Sequence, residues 1–199
     1  MDPIQTIAIG SGLAWASGVR LYAVVFFAGL LSRFGVVTLP GQLNALAHPL
    51  VIGVAGLLFF VEFLADKVPG VDSVWDAVHT FVRVPAGALL AAASLGVGAD
   101  PAWLLAAGLA GGTLAGSAHF AKAGTRALIN TSPEPFSNWA ASFSEEVGVA
   151  GALWLAFTYP AAFLACLALV VLLSLWLIVR LWRLVAGLFR RHSLTAAGS

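Results

Sequence analysis

Six apolar stretches run along the chain, at roughly 5–34, 45–66, 72–97, 101–130, 138–158 and 161–189, each near or beyond the ~20 residues that carry a helix across a bilayer. Helix breakers separate them: Pro40-Gly41, Pro69-Gly70, the interval from Gly96 to Pro101, Ser132-Pro133-Glu134-Pro135, and Pro160. Several stretches exceed the length of one crossing, which predicts tilt, kinks or amphipathic ends. Pro85 lies inside the third and predicts a kink there, or a division into a polar and an apolar half. The pattern therefore predicts an all-α integral membrane protein of about six transmembrane helices, with kinked or broken helices, folded as a single domain over 1–199.

The polar positions are few and patterned. Asp72, Asp76, His79 and Arg83 recur at intervals of four, three and four, so they share one helix face; Glu62 and Asp66 are four apart on the helix before. An ionised side chain at bilayer depth costs at least ~2.5–3.5 kcal/mol, so it is normally paired, hydrated or functional. Asp72 and Asp76 also fit a solvated amphipathic segment beside the Pro69-Gly70 turn. Glu62, after Leu57-Leu58-Phe59-Phe60-Val61, is expected deeper.

A basic counterpart lies on the fourth stretch, where His119, Lys122, Arg126 and Asn130 share a face. Lys122 and Arg126 suit either snorkelling toward headgroups or a buried role. Gly108, Gly112 and Gly116 form a small-residue ridge suited to close helix packing. Around 130–138, Ser132 before Pro133 reads as a helix N-cap, Ser137 or Asn138 can cap the next helix, and an exposed helix N-terminus there can hold an anion. The other reading is a tight loop satisfying its own backbone. Ser142 and Glu145 have capping-box spacing, so one of Glu145 and Glu146 can be a helix-start signal. Arg20 stands near the middle of the first stretch, too far from either end to snorkel easily. A buried salt bridge to one of the carboxylates is expected, and Ser11, Gly12, Ser17 and Gly18 can let that helix unwind. Arg33, at a helix end, reads as an anchor.

Composition narrows the class. Sixty per cent of the 199 residues are hydrophobic and 10% are charged, with a mean hydropathy of +0.96. A soluble domain carries about 25% charged residues. The net charge of +1, with no basic stripe outside the tail, argues against a nucleic-acid partner. The lone Cys166 cannot form an internal disulfide. The N-terminus lacks the basic region of a cleavable signal, so the first stretch is expected to be retained. Arg180, Arg183, Arg190 and Arg191 make 180–199 a basic, cytoplasmic tail. Six crossings then place the N-terminus on the same side, in a bacterial inner membrane.

The two halves, 5–97 and 101–190, carry a weak repeat. Gly53-Val54-Ala55-Gly56 recurs as Gly148-Val149-Ala150-Gly151, and at that spacing Pro40 falls on Pro135. An odd number of helices per copy implies inverted repeats, as in many secondary transporters; chance similarity of Gly/Ala-rich helices is the alternative.

The runs EFLADKVPGVDSVWDAVHTFVRVPAGALLAA (62–92) and HFAKAGTRALINTSPEPFSNW (119–139) resemble the bacterial membrane-protein family catalogued as domain of unknown function 4126. Asp66-Lys67-Val68-Pro69-Gly70-Val71-Asp72 and Ser132-Pro133-Glu134-Pro135 carry the resemblance, which extends from about Gly18 into the fifth stretch. It implies an integral membrane protein with several spans and supplies no activity.

The leading functional expectation is a small secondary transporter or lipid-headgroup flippase for an anionic substrate. Glu62, Asp66, Asp72, Asp76, His79 and Glu145 would couple protons or cations; Arg20, Lys122, Arg126, Asn130, Ser132, Glu134 and Asn138 would bind the substrate. Membrane lipids and a second copy of the chain are the expected partners, with no cofactor. A cation channel or divalent-metal carrier built on Asp72, Asp76, His79 and Glu62 is an alternative. So is a structural or assembly role. Catalysis on lipid phosphates is disfavoured, because no Gly-x-Ser-x-Gly, His-Glu-x-x-His or phosphate-loop sequence occurs.

Overall fold

The computed structural model describes residues 1–68, 70–131, 135–173 and 176. Among these, all regular structure is helical: α1 (Pro3–Arg33), a 3-10 helix (Gly41–Ala47), α2 (Pro49–Ala65), α3 (Val71–Ser94), α4 (Pro101–Ile129), α5 (Pro135–Thr158) and α6 (Pro160–Leu173). One local device starts three of them. Asp2, His48 and Asp100 each accept a hydrogen bond from the backbone N–H two residues on, and each precedes a proline at the first helical position.

Polarity is inverted relative to a soluble fold. Phe81 is 83% exposed and Trp103 70%, whereas Arg20, Arg83 and Arg126 are wholly buried. Large apolar side chains outside and charges inside are what a lipid solvent selects. α1, α3 and α4 are long and apolar enough to cross a membrane, and the 3-10 helix with α2, bent by 71°, makes a fourth candidate.

The expected interruption falls in α1, not at Pro85. α3 runs unbroken from Val71 to Ser94 through Pro85, while Arg20 in α1 has φ −147° and ψ 79°, outside the helical region. The chain folds back at that point. Gly10 abuts Ser94 on α3, where an added Cβ would stand 2.9 Å from the serine Cβ. Gly41 abuts Gly96 two residues further on, just past the end of α3, and Gly29 abuts Leu46 of the short helix that begins at Gly41. A straight helix would separate Gly10 from Gly29 by about 28 Å at 1.5 Å per residue, while the 3-10 segment from Gly41 to Leu46 covers only about 10 Å. Both ends of α1 therefore lie near the C-terminal end of α3, and Arg20 sits at the tip of a helical hairpin. Its limbs share one core: Ile9 and Leu13 from the first, Val24 and Ala28 from the second, with Leu39, Leu43, Leu90, Val149 and Leu153.

Close approaches also fall elsewhere than expected. Gly108, Gly112 and Gly116 make ordinary contact with α3, whereas a side chain on Gly111 would strike Ala91 and the Gly87 carbonyl. One on Gly18 would strike the Ala115 backbone. Gly41 has φ +59°, a conformation that favours glycine, and a Cβ there would stand 2.6 Å from Gly96 N. The repeat pairs 5–34 with 101–130, and these two differ: α1 is a hairpin and α4 a continuous helix.

Candidate functional site

Ionic side chains from α1, α2, α3, α4 and α5 converge on one buried network. Lys122 is its hub: Nζ lies 3.0 Å from Asp66 Oδ2, 3.4 Å from Asp76 Oδ1 and 3.5 Å from Glu145 Oε2, and donates to the Val19 carbonyl. Helical spacing explains the access, since Lys122 and Arg126 are one turn apart on the α4 face turned toward α1 and α5. Neither snorkels. Arg126 donates through Nε to Glu145 Oε1 at 2.9 Å and through Nη1 to the Asp66 carbonyl and to Asn138.

Arg20 enters from the hairpin tip, and the expected salt bridge is there. Its Nη2 lies 2.9 Å from Asp66 Oδ2 and donates to Ser142 Oγ at 2.7 Å, while Nη1 lies 3.7 Å from Glu146 Oε1. On the far side of Lys122, Arg83 joins two carboxylates, donating through Nη2 to Glu62 Oε1 at 2.5 Å and through Nη1 to Asp76 Oδ1 at 2.7 Å. The α3 stripe is therefore buried rather than solvated: Asp72, Asp76, His79 and Arg83 are each 7% exposed or less.

Two histidines, His79 and His119, border the network. His119 Nδ1 faces Arg83 Nη1 at 3.1 Å, and a guanidinium only donates, so this nitrogen accepts. Its Nε2–H then donates to Thr80 Oγ1 at 2.7 Å, and the Thr80 hydroxyl donates in turn to the Asp76 carbonyl at 3.2 Å. His79 donates from Nδ1 to the Trp75 carbonyl at 2.7 Å, and its Nε2 is hydrogen-bonded with the Tyr22 hydroxyl at 3.1 Å.

Asp72 belongs to a separate, polar corner. Its Oδ1 accepts from the backbone N–H of Gly70 and Ser73 and from Asn130 Nδ2, and Asn138 Nδ2 donates to Asn130 Oδ1. α5 begins at Pro135, so Ser137 and Asn138 lie inside its first turn rather than capping it. Ser142 and Glu145 sit in mid-helix, which overturns the capping-box reading: both serve the network instead. Ser132 and Glu134, expected at the substrate site, lie outside the described residues, as does the tail 180–199.

The charges do not cancel. Six carboxylates (Glu62, Asp66, Asp72, Asp76, Glu145, Glu146) face four paired cations (Arg20, Arg83, Lys122, Arg126) and a fifth, Lys67, whose charge acts on Glu146 and Asp66, an excess of one among the described residues. Five of those carboxylates, all but Asp72, keep one oxygen without a hydrogen-bond partner among the described residues; Arg20 Nε and Nη1 likewise make no hydrogen bond, Nη1 being held only by the longer ion pair to Glu146. Unpaired buried groups cost ~1–3 kcal/mol each or more when charged, so such atoms mark places for water, a proton or a ligand. Asp66, just past the end of α2, shows the opposing forces. Burial alone would raise its pKa, but Lys122, Arg20 and Arg126 outweigh burial and hold it below the ordinary carboxylate value.

Two cavities reach the network from different sides. One of about 1070 Å³ lies between α1, α2 and α5 and is mostly apolar, with Arg20 and Glu146 in its wall. The other, about 250 Å³, lies between α1, α4, α5 and α6 and touches Lys122 and Glu145. Sequence reasoning found both charge stripes but missed Tyr22, Thr80 and Ser142 as members; nothing local marks Tyr22, and Ser142 was signalled only by its position three before Glu145. Among the described residues, no three His, Cys, Asp or Glu side chains are grouped as a metal-ligand set.

No curated protein and no solved structure matches the chain. A family model does match, over residues 7–181, which takes in the smaller cavity and every member of the buried network. The chain belongs to the family described as domain of unknown function DUF4126.

Proposed function

We propose that this protein is a small ion-coupled membrane carrier that moves an anionic substrate or lipid headgroup. The observation that carries the reading is the pair of cavities meeting one buried network from different sides, at Arg20 and Glu146 and at Lys122 and Glu145. In this reading Glu62, Asp76 and Glu145 take up protons on their free oxygens, while Asp66, held ionised by Lys122, Arg20 and Arg126, stays the fixed counter-charge. Each protonation releases a cation from its partner, and Arg20 or Lys122 then pairs with the substrate anion. The excess of carboxylates over cations supports protons as the coupling ion, because a partly protonated network is the neutral one.

The reading places the chain in a bacterial inner membrane, surrounded by lipid and paired with a second copy. Folding α1 back removes one crossing from the count of six. With the basic tail cytoplasmic, the N-terminus then lies on the opposite side rather than the same one. The inverted repeat belongs to the proposal for α2 and α5, whose Gly-Val-Ala-Gly copies correspond. A structural role is the second reading, favoured by the internal pairing of the four buried cations.

Proteoliposomes carrying a headgroup-labelled anionic phospholipid test the proposal. Wild-type protein should raise the fraction of label reachable by an external quencher, and the rate should change with pH. Glu62→Gln should fold normally and lose that pH dependence. Transfer no faster than in empty liposomes at every pH leaves the structural reading standing.

A further inference from the structure

The larger cavity joins two chemistries. Phe27, Leu31, Phe59, Val147, Leu153 and Phe157 give it apolar walls, and Arg20 and Glu146 stand together at its charged part. Arg20 is wholly buried, and its Nη2 is occupied by Asp66 and Ser142. Nη1 lies on the side of Glu146, which also lines the cavity, and Nη1 and Nε have no hydrogen-bond partner among the described residues. Water alone could satisfy those N–H groups, but the wall around them is built for hydrocarbon. At about 1070 Å³ the space is at the upper end of ligand pockets, which run to ~1,000 Å³.

We infer that this cavity is a binding site for an anionic amphiphile, with its carboxylate or phosphate on Arg20 Nη1 and its acyl chain along the α1–α2–α5 walls. Nη1 offers a charge-assisted N–H to an oxygen of either acid. The apolar chain supplies the burial that a small hydrophilic anion could not. This inference rests on the carrier reading for its biological use, naming the substrate class, but the site stands or fails by binding alone.

Native mass spectrometry of the purified full-length protein in detergent tests it, with oleate, 1-oleoyl-lysophosphatidate and oleyl alcohol offered at equal mole fraction. At least one of the two acids should give a single stoichiometric adduct at least about tenfold more populated than the alcohol adduct, and the more populated acid identifies the headgroup chemistry. Ala150→Trp adds bulk at an exposed position in the cavity wall and should reduce the acid adduct at least about tenfold without changing the melting temperature. Arg20→Gln should erase the preference for acid over alcohol, and Arg20→Lys should retain part of it. If Arg20→Gln does not fold, Ala150→Trp and the alcohol comparison decide. Equal adducts for acids and alcohol, or adducts indifferent to Ala150→Trp, overturn the site. Specific binding without lipid transfer in proteoliposomes would overturn the carrier reading only; transfer unaffected by Ala150→Trp would overturn this site only.

Discussion

Arg20 meets Asp66 across 2.9 Å with neither side chain exposed, tying the tip of the α1 hairpin to the end of α2. Asp66 also takes Lys122 at 3.0 Å and lies 3.7 Å from Arg126, so one carboxylate faces three cations from two helices. Replacing Asp66 with Ala strands these charges. The expected cost is ~3–5 kcal/mol, the range for breaking a buried pair. Thermal unfolding in detergent should show a large drop for Asp66→Ala, while Glu146→Gln, at a side chain 27% exposed, should cost under about 1 kcal/mol.

The same carboxylate sets a pH limit. Its pKa is lower in the folded protein than in the unfolded chain, so its ionised form adds stability above the unfolded value of about 3.9. That stability is lost as pH falls through the lower, folded value. Melting temperature should therefore fall on acidification below about pH 4, and Asp66→Asn should flatten that fall while lowering stability at neutral pH. An unchanged acid limb in Asp66→Asn would assign the dependence to other carboxylates.

The hairpin makes a distance prediction. Ile7 and Phe34 are both exposed, and a straight helix would separate them by about 40 Å. Spin labels at Ile7→Cys and Phe34→Cys, in a Cys166→Ser background, should report less than about 25 Å, because each limb from Arg20 runs back toward the same end of α3. A distribution centred near 40 Å would mean that α1 crosses once.

Packing gives a contrast between glycines. A side chain on Gly18 would meet the Ala115 backbone, with its Cβ 2.8 Å from the carbonyl carbon, and backbone cannot rotate away. Gly18→Leu should lower the yield of folded protein and cost at least ~1–3 kcal/mol through overpacking. At Gly108 the nearest atom is the Ala88 carbonyl oxygen at 3.8 Å, so Gly108→Ala should be neutral or stabilising by up to ~1 kcal/mol. Size-exclusion profiles and melting temperatures of the two variants check this ordering.

Helix positions and the two charge stripes were legible along the chain because they are local; the caps at Asp2, His48 and Asp100 are equally local but were not among the expectations, and those expected at Ser137 or Asn138 and at Ser142 lie inside α5. Asp2-Pro3, His48-Pro49 and Asp100-Pro101 start helices through bonds made within two residues, and a face repeating every three or four positions is a property of one helix. Unwinding near Ser17-Gly18 was among the expectations, but that α1 breaks at Arg20 while α3 runs through Pro85, the capture of Ser142 and Tyr22, and the pairing of each cation with a particular carboxylate were decided only in three dimensions. Sequence spacing carries no information on which buried charge will face which across separate helices. That choice minimises unpaired charge over the whole assembly, and lipid offers the losers no water to turn to.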